Sequence, residues 1–123
     1  MKITGSIFCL LGLLTAAPTM AHEDHGKPQY GGIVAEAGMA QFELVSREGR
    51  VIIHVSQHGA ALASAGGSGK LTVLAGGEKS EIALKPAGEN RFEGTGNLAS
   101  GAKVLISIQL AGQKAMQARV VVK

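Results

Sequence analysis

The chain has 123 residues, with 12 Lys and Arg against 9 Asp and Glu, for a formal net charge of +3. The basic residues are scattered and never form a block, which argues against a nucleic-acid or anionic-membrane footprint, since either needs clustered charge. Its one cysteine is Cys9, in a segment expected to be removed, so the mature form excludes a thiolate metal site, a disulfide oxidoreductase and a cysteine nucleophile.

At the amino terminus Lys2 supplies a positive start, and Ile7-Phe8-Cys9-Leu10-Leu11-Gly12-Leu13-Leu14 is an apolar run too short to span a bilayer. Thr19-Met20-Ala21 places small residues where a signal peptidase reads. Residues 1–21 are therefore expected to be a signal peptide cleaved after Ala21, with export to the periplasm and no stable membrane anchor. Removing 21 of 123 residues leaves 102, enough for one small domain with a single core. Without cysteine, that domain must be held by packing and hydrogen bonding.

Residues 22–32 are expected to form a flexible His- and Asp-containing segment, and residues 33–123 the folded domain. Ile33-Val34-Ala35-Glu36 is a candidate first strand. Gln41 to Val45 and Val51 to Val55 alternate apolar and polar residues on either side of Arg47-Glu48-Gly49, a hairpin signal. Gly59 to Gly69 has no regular period and is expected to be a long loop. Lys70 to Leu74 and Ser80 to Lys85 are two more strands, joined at Gly76-Gly77. Arg91 to Glu93, Ala102 to Leu110 and Ala115 to Val122 complete the pattern.

No stretch sustains a helical period, so the expected fold is all-β: a small antiparallel β-sandwich of seven or eight strands, immunoglobulin-like or fibronectin-like. Parity assigns Phe42, Leu44, Val51, Ile53, Val55, Leu71, Val73, Ile82, Leu84, Phe92, Val104, Ile106, Ile108, Leu110, Val120 and Val122 to the core. At about 1.5 to 3 kcal/mol for each fully buried large aliphatic side chain, this set suffices for a domain of this size.

The four histidines carry the functional signal. Cleavage after Ala21 would make His22 the first residue, offering an α-amine and a ring nitrogen to one ion. The amine's reference pKa of about 7.7 to 8.0 makes its neutral form accessible. Asp24 and His25 can add an oxygen and a second imidazole, a donor set that suits Cu(II), with Zn(II) or Ni(II) as alternatives. The copper and nickel motif with His as third residue does not fit, because the third mature residue would be Asp24. His54 faces the polar side of its strand with Ser56, open to a ligand or to water. His58 stands four residues on, roughly 13 Å along a strand, so the two share an ion only if the strand breaks near Gln57. Met39 and Met116 are potential soft ligands for Cu(I), although methionine more often fills core gaps.

The order of signal peptide, His/Asp segment, Lys27-Pro28-Gln29-Tyr30-Gly31-Gly32-Ile33-Val34, Gln41 to Val45, Val51 to Gly59 and Gly69 to Leu74 resembles a group of small uncharacterised periplasmic proteins of proteobacteria. The likeness covers nearly the whole mature chain. It implies a periplasmic β-domain accompanying a heavy-metal efflux system. This chain has Gln57-His58-Gly59 where that group commonly has Asp-His-Gly, so a carboxylate beside the histidine is lost. A looser similarity links it to the periplasmic copper carriers of resistance systems, and there only His22 carries over.

No Ser, His and acid stand in a nucleophile-like motif and no paired carboxylates mark a cleft, so an enzyme is not expected. Two readings remain. One is a non-enzymatic metal-handling protein binding copper or another divalent ion and serving a periplasmic component of an efflux system. The other is a metal-free interaction module of an envelope complex, using strand edges and the Gly59 to Gly69 loop.

Overall fold

A computed structural model of the chain describes residues 26–123. Among them there is no α-helix, and the fold is all-β and antiparallel. The strands are β1 (Ile33–Ala37), β2 (Ala40–Arg47), β3 (Arg50–Gln57), β4 (Ala60–Ala61), β5 (Ser68–Ala75), β6 (Glu78–Pro86), β7 (Arg91–Thr95), β8 (Lys103–Gln109) and β9 (Met116–Val121). They follow one path, β1-β2-β3-β7-β6-β5-β8-β9, with β4 added beside β3. β1 and β9, the two ends of that path, pack against one another, so the sheet coils into a nearly closed, barrel-like shape.

Tight turns set the register. Glu48-Gly49 joins β2 to β3 with φ of 53° and 78°, and Gly76-Gly77 joins β5 to β6 with φ of 60° and 84°. Positive φ at both central residues is the two-residue hairpin geometry whose twist matches that of the flanking strands. From the first turn the pairing of β2 and β3 runs from Arg47↔Arg50 through Glu43↔His54 to Ala40↔Gln57.

The parity assignment of the core is found almost throughout. Every residue named above is buried except Ile82 and Val122, which are partly buried and pack against the core. Phe42 and Phe92, fully buried, are the largest side chains at its centre.

Among the described residues the strands number nine, not seven or eight, because the expected Gly59 to Gly69 loop is partly ordered into strand. Ala60 and Ala61 pair with Gln57 and Ser56, and β5 already begins at Ser68. The remainder of that segment is tied down. Ser64 is fully buried, its N–H donates to the Glu89 carbonyl at 2.8 Å, and Gly67 N–H donates to the Ser64 carbonyl at 2.9 Å. Next to it, Asn90 fastens β3: its side-chain amide donates to the Val55 carbonyl at 2.9 Å, while Val55 N–H donates to the Asn90 carbonyl at 3.0 Å.

Candidate metal site

His22, Asp24 and His25, three of the five expected metal ligands, lie outside the described residues. The other two, His54 and His58, are on β3 and at its end.

His54 occupies the polar face of β3, as parity requires, but it does not face open water. The chain entering β1 folds back over it. The Tyr30 ring stacks on the imidazole with centroids 3.6 Å apart and planes within 5°, while Tyr30 itself stays 44% exposed on its outer side. His54 Nδ1 is buried and has no hydrogen-bond partner among the described residues. Directly across the ladders stand Glu43 on β2 and Arg91 on β7. Burial pushes the His54 pKa below the ordinary histidine value; the Glu43 carboxylate opposes that shift and the Arg91 guanidinium adds to it. His54 is thereby favoured as neutral imidazole, the form that binds metals.

The strap is clamped by Glu43, a residue not anticipated as functional. It is only 3% exposed, and its carboxylate accepts three backbone N–H groups: Gln29 on Oε1 at 2.7 Å, and Tyr30 and Gly32 on Oε2 at 2.8 Å each. A buried carboxylate is tolerated only when its charge meets such donors, and charged acceptors make the stronger hydrogen bonds. Two glycines let the strap lie this close. Gly31 has a φ of 79°, and a Cβ on Gly32 would overlap the backbone carbonyl of Leu44. Gly31-Gly32 thus ends a fastened strap at the close of the segment 22–32 that the sequence leads one to expect to be flexible.

His58 is a turn residue. With Gly59 it forms the two-residue tip between β3 and β4, at φ of 52° and 82°. The strand therefore does break after Gln57, but His54 remains mid-strand beneath Tyr30 while His58 sits at the tip. His58 instead lines a groove of about 820 Å³ together with Lys27, Pro28, Glu36, Met39 and Gln41. Met39 is 68% exposed at the β1–β2 turn, available as a soft ligand, whereas Met116 packs against the core. Among the described residues, no group of three or more His, Cys, Asp or Glu converges to hold an ion.

The chain matches no family model, no curated protein and no solved structure with which it was compared.

Proposed function

We propose that the protein is a periplasmic, non-enzymatic metal-handling protein that binds Cu(II), with Zn(II) or Ni(II) as alternatives, and serves a heavy-metal efflux system. In this reading residues 1–21 are a cleaved signal peptide, and the coiled sheet acts as a compact β-sandwich scaffold. His22, Asp24 and His25 hold the ion, and His58 is the partner they meet on the folded domain, with His54 a further donor.

One observation supports this reading above the others: Lys27 and Pro28, the root of the His22 to His25 segment, line the same groove as His58 and Met39. From Lys27 back to His22 is five residues, at most about 18 Å of extended chain at 3.3 to 3.6 Å each. That length of chain starts in the groove that both hairpin tips, Gly38-Met39 and His58-Gly59, line. Imidazole, carboxylate and terminal amine together form a nitrogen-rich set, for which the divalent affinity order favours copper.

Calorimetric titration of the purified protein with Cu(II), Zn(II) and Ni(II), its amino terminus confirmed by mass spectrometry, tests the proposal. His22→Ala combined with His25→Ala should weaken binding at least tenfold, and His58→Ala less. Unchanged binding in the double variant would sink the terminal site.

The second reading, a metal-free interaction module, is favoured by a different surface. Leu74 and Val121 are 46% and 56% exposed, and both pair across the ladder with Lys103 of β8, so they stand in one row on the outside of the sheet. Leu74→Ser together with Val121→Ser should abolish capture of an envelope partner if that row is the interface. Capture that survives both substitutions counts against it.

A further inference from the structure

In an antiparallel sheet that buries one face, the other face is expected to be polar. The outer face of β6, β5, β8 and β9 departs from this. Leu71, Val73, Val104, Ile106 and Val120 are buried, so their neighbours along each strand point outward, and the ladders align these in rows. One row reads Lys79, Leu74, Lys103, Val121, and the next Glu81, Thr72, Leu105, Arg119. Of the four large hydrophobic side chains exposed among the described residues, two, Leu74 and Val121, stand in the first row, so the exposure is concentrated. Leu105, half-buried, lies diagonally from Leu74. This apolar line has Lys79 on one side and Lys103 with Arg119 on the other. None of those three cations has an ion-pair partner among the described residues, whereas Lys70 is held by Glu81 at 3.4 Å. Cations scattered along the chain are thus gathered onto one face by strand pairing.

We propose that this face docks an acidic amphipathic helix of a partner protein, its apolar stripe laid along Leu74 and Leu105 and its carboxylates meeting Lys79, Lys103 and Arg119. This rests on the interaction surface of the second reading, independently of metal binding, and adds the chemistry of the partner. Lys79 and Lys103 stand two strands apart, roughly 10 Å, close to the width of a helix with its side chains, about 10 to 12 Å. Flanking cations therefore fall where the acidic borders of an apolar helical stripe would lie. A second copy of the chain presenting the same face would set cation against cation, which disfavours a symmetric dimer here. An anionic bilayer would satisfy the charges as well. Between Leu74, Leu105 and Val121, however, lies a shallow groove of about 340 Å³, a concavity that a protruding apolar side chain fills and a flat headgroup surface does not. With so few apolar side chains to bury, the complex belongs among small, transient interfaces, and its charges make it weaken with salt.

The test titrates the whole purified protein, followed by amide NMR, with three synthetic helical peptides: one with a leucine stripe flanked by glutamates, a twin with lysines in place of the glutamates, and a twin with serines in place of the leucines. The first should bind saturably, shift the amides around Leu74, Lys103 and Arg119, and lose affinity as salt is raised. Both twins should bind about tenfold more weakly. Lys103→Glu with Arg119→Glu, both on the exposed face, should weaken the acidic peptide about tenfold and make the lysine twin the better ligand, a reversal that mere damage to the fold would not produce. Lys114→Glu, in the loop after β8, should bind as wild type. Absence of binding, or shifts confined to other strands, overturns the proposal, and so does equal binding of the serine twin, which would mean charge attraction alone. Tighter association with phosphatidylglycerol vesicles than with the acidic peptide, lost in the Lys103→Glu and Arg119→Glu variant, overturns the helix in favour of lipid. Capture of an envelope partner that needs Leu74 and Val121 but survives both charge reversals keeps the interface and overturns its acidic partner.

Discussion

At the scale of single residues, Glu43 and His54 do different work although they are partners across the same ladder. Glu43 spends its charge on three backbone donors, so replacing one carboxylate oxygen by an amide NH₂ sets donor against donor. Glu43→Gln should cost about 1 to 3 kcal/mol, measured as a lowered urea midpoint. His54 makes the stability of the protein depend on pH. Because its folded-state pKa lies below the unfolded value of 6.5, the unfolded chain binds more protons in the interval between the two. The contribution is therefore complete above the unfolded value and is lost as pH falls through the folded one. Urea midpoints taken at descending pH should fall in that window, and His54→Gln should flatten the dependence. The sequence places both side chains on the polar face and, once Glu48-Gly49 is recognised as a two-residue turn, places them opposite each other. It does not disclose the strap, because Lys-Pro-Gln-Tyr-Gly-Gly has the composition of a linker and only its docking on Glu43 makes it part of the fold.

Among the elements, alternation makes β2, β3, β5 and β8 legible, since each buries one face against a common core. Where the chain relies on individual hydrogen bonds, periodicity is silent. That is why Ala60-Ala61 and the buried Ser64 are absent from the expectation for a long loop: their order comes from pairing with β3 and from the Glu89 carbonyl, with little apolar burial to announce it. The corner between β6 and β7 is another such place. The two strands share only the pairs Lys85↔Glu93 and Pro86↔Phe92, and β6 then leans away to pair with β5. Gly94 permits that crossing, for a Cβ there would overlap the Ala83 carbonyl and press on Ile82 and Leu84. Gly94→Ala should destabilise the fold by about 1 to 3 kcal/mol through overpacking, read as a lowered thermal midpoint, while Gly112→Ala, in open space, tests only the strain of its positive φ.

For the molecule as a whole, the coiled sheet brings β1 and β9 together without a described ladder between them, although every other neighbouring pair along the path has one. Their outward backbone groups should exchange hydrogen fastest among the strands and those of β5, paired on both sides, slowest; amide exchange followed by mass spectrometry checks this order. The all-β antiparallel class follows from patterning alone, but coiling of the sheet toward closure depends on how strands far apart in sequence pair, and no local signal in β1 or β9 carries it. The anchoring of Gln29 also has a kinetic side. If, as proposed, the terminal segment carries ion donors, it joins the sheet a few residues away at Gln29, and short linkers of this kind correspond to local concentrations in the millimolar range. An ion caught first by the terminal segment would thus meet His58 as an intramolecular neighbour, so retention would be set by how seldom both grips open together and not by the strength of either one.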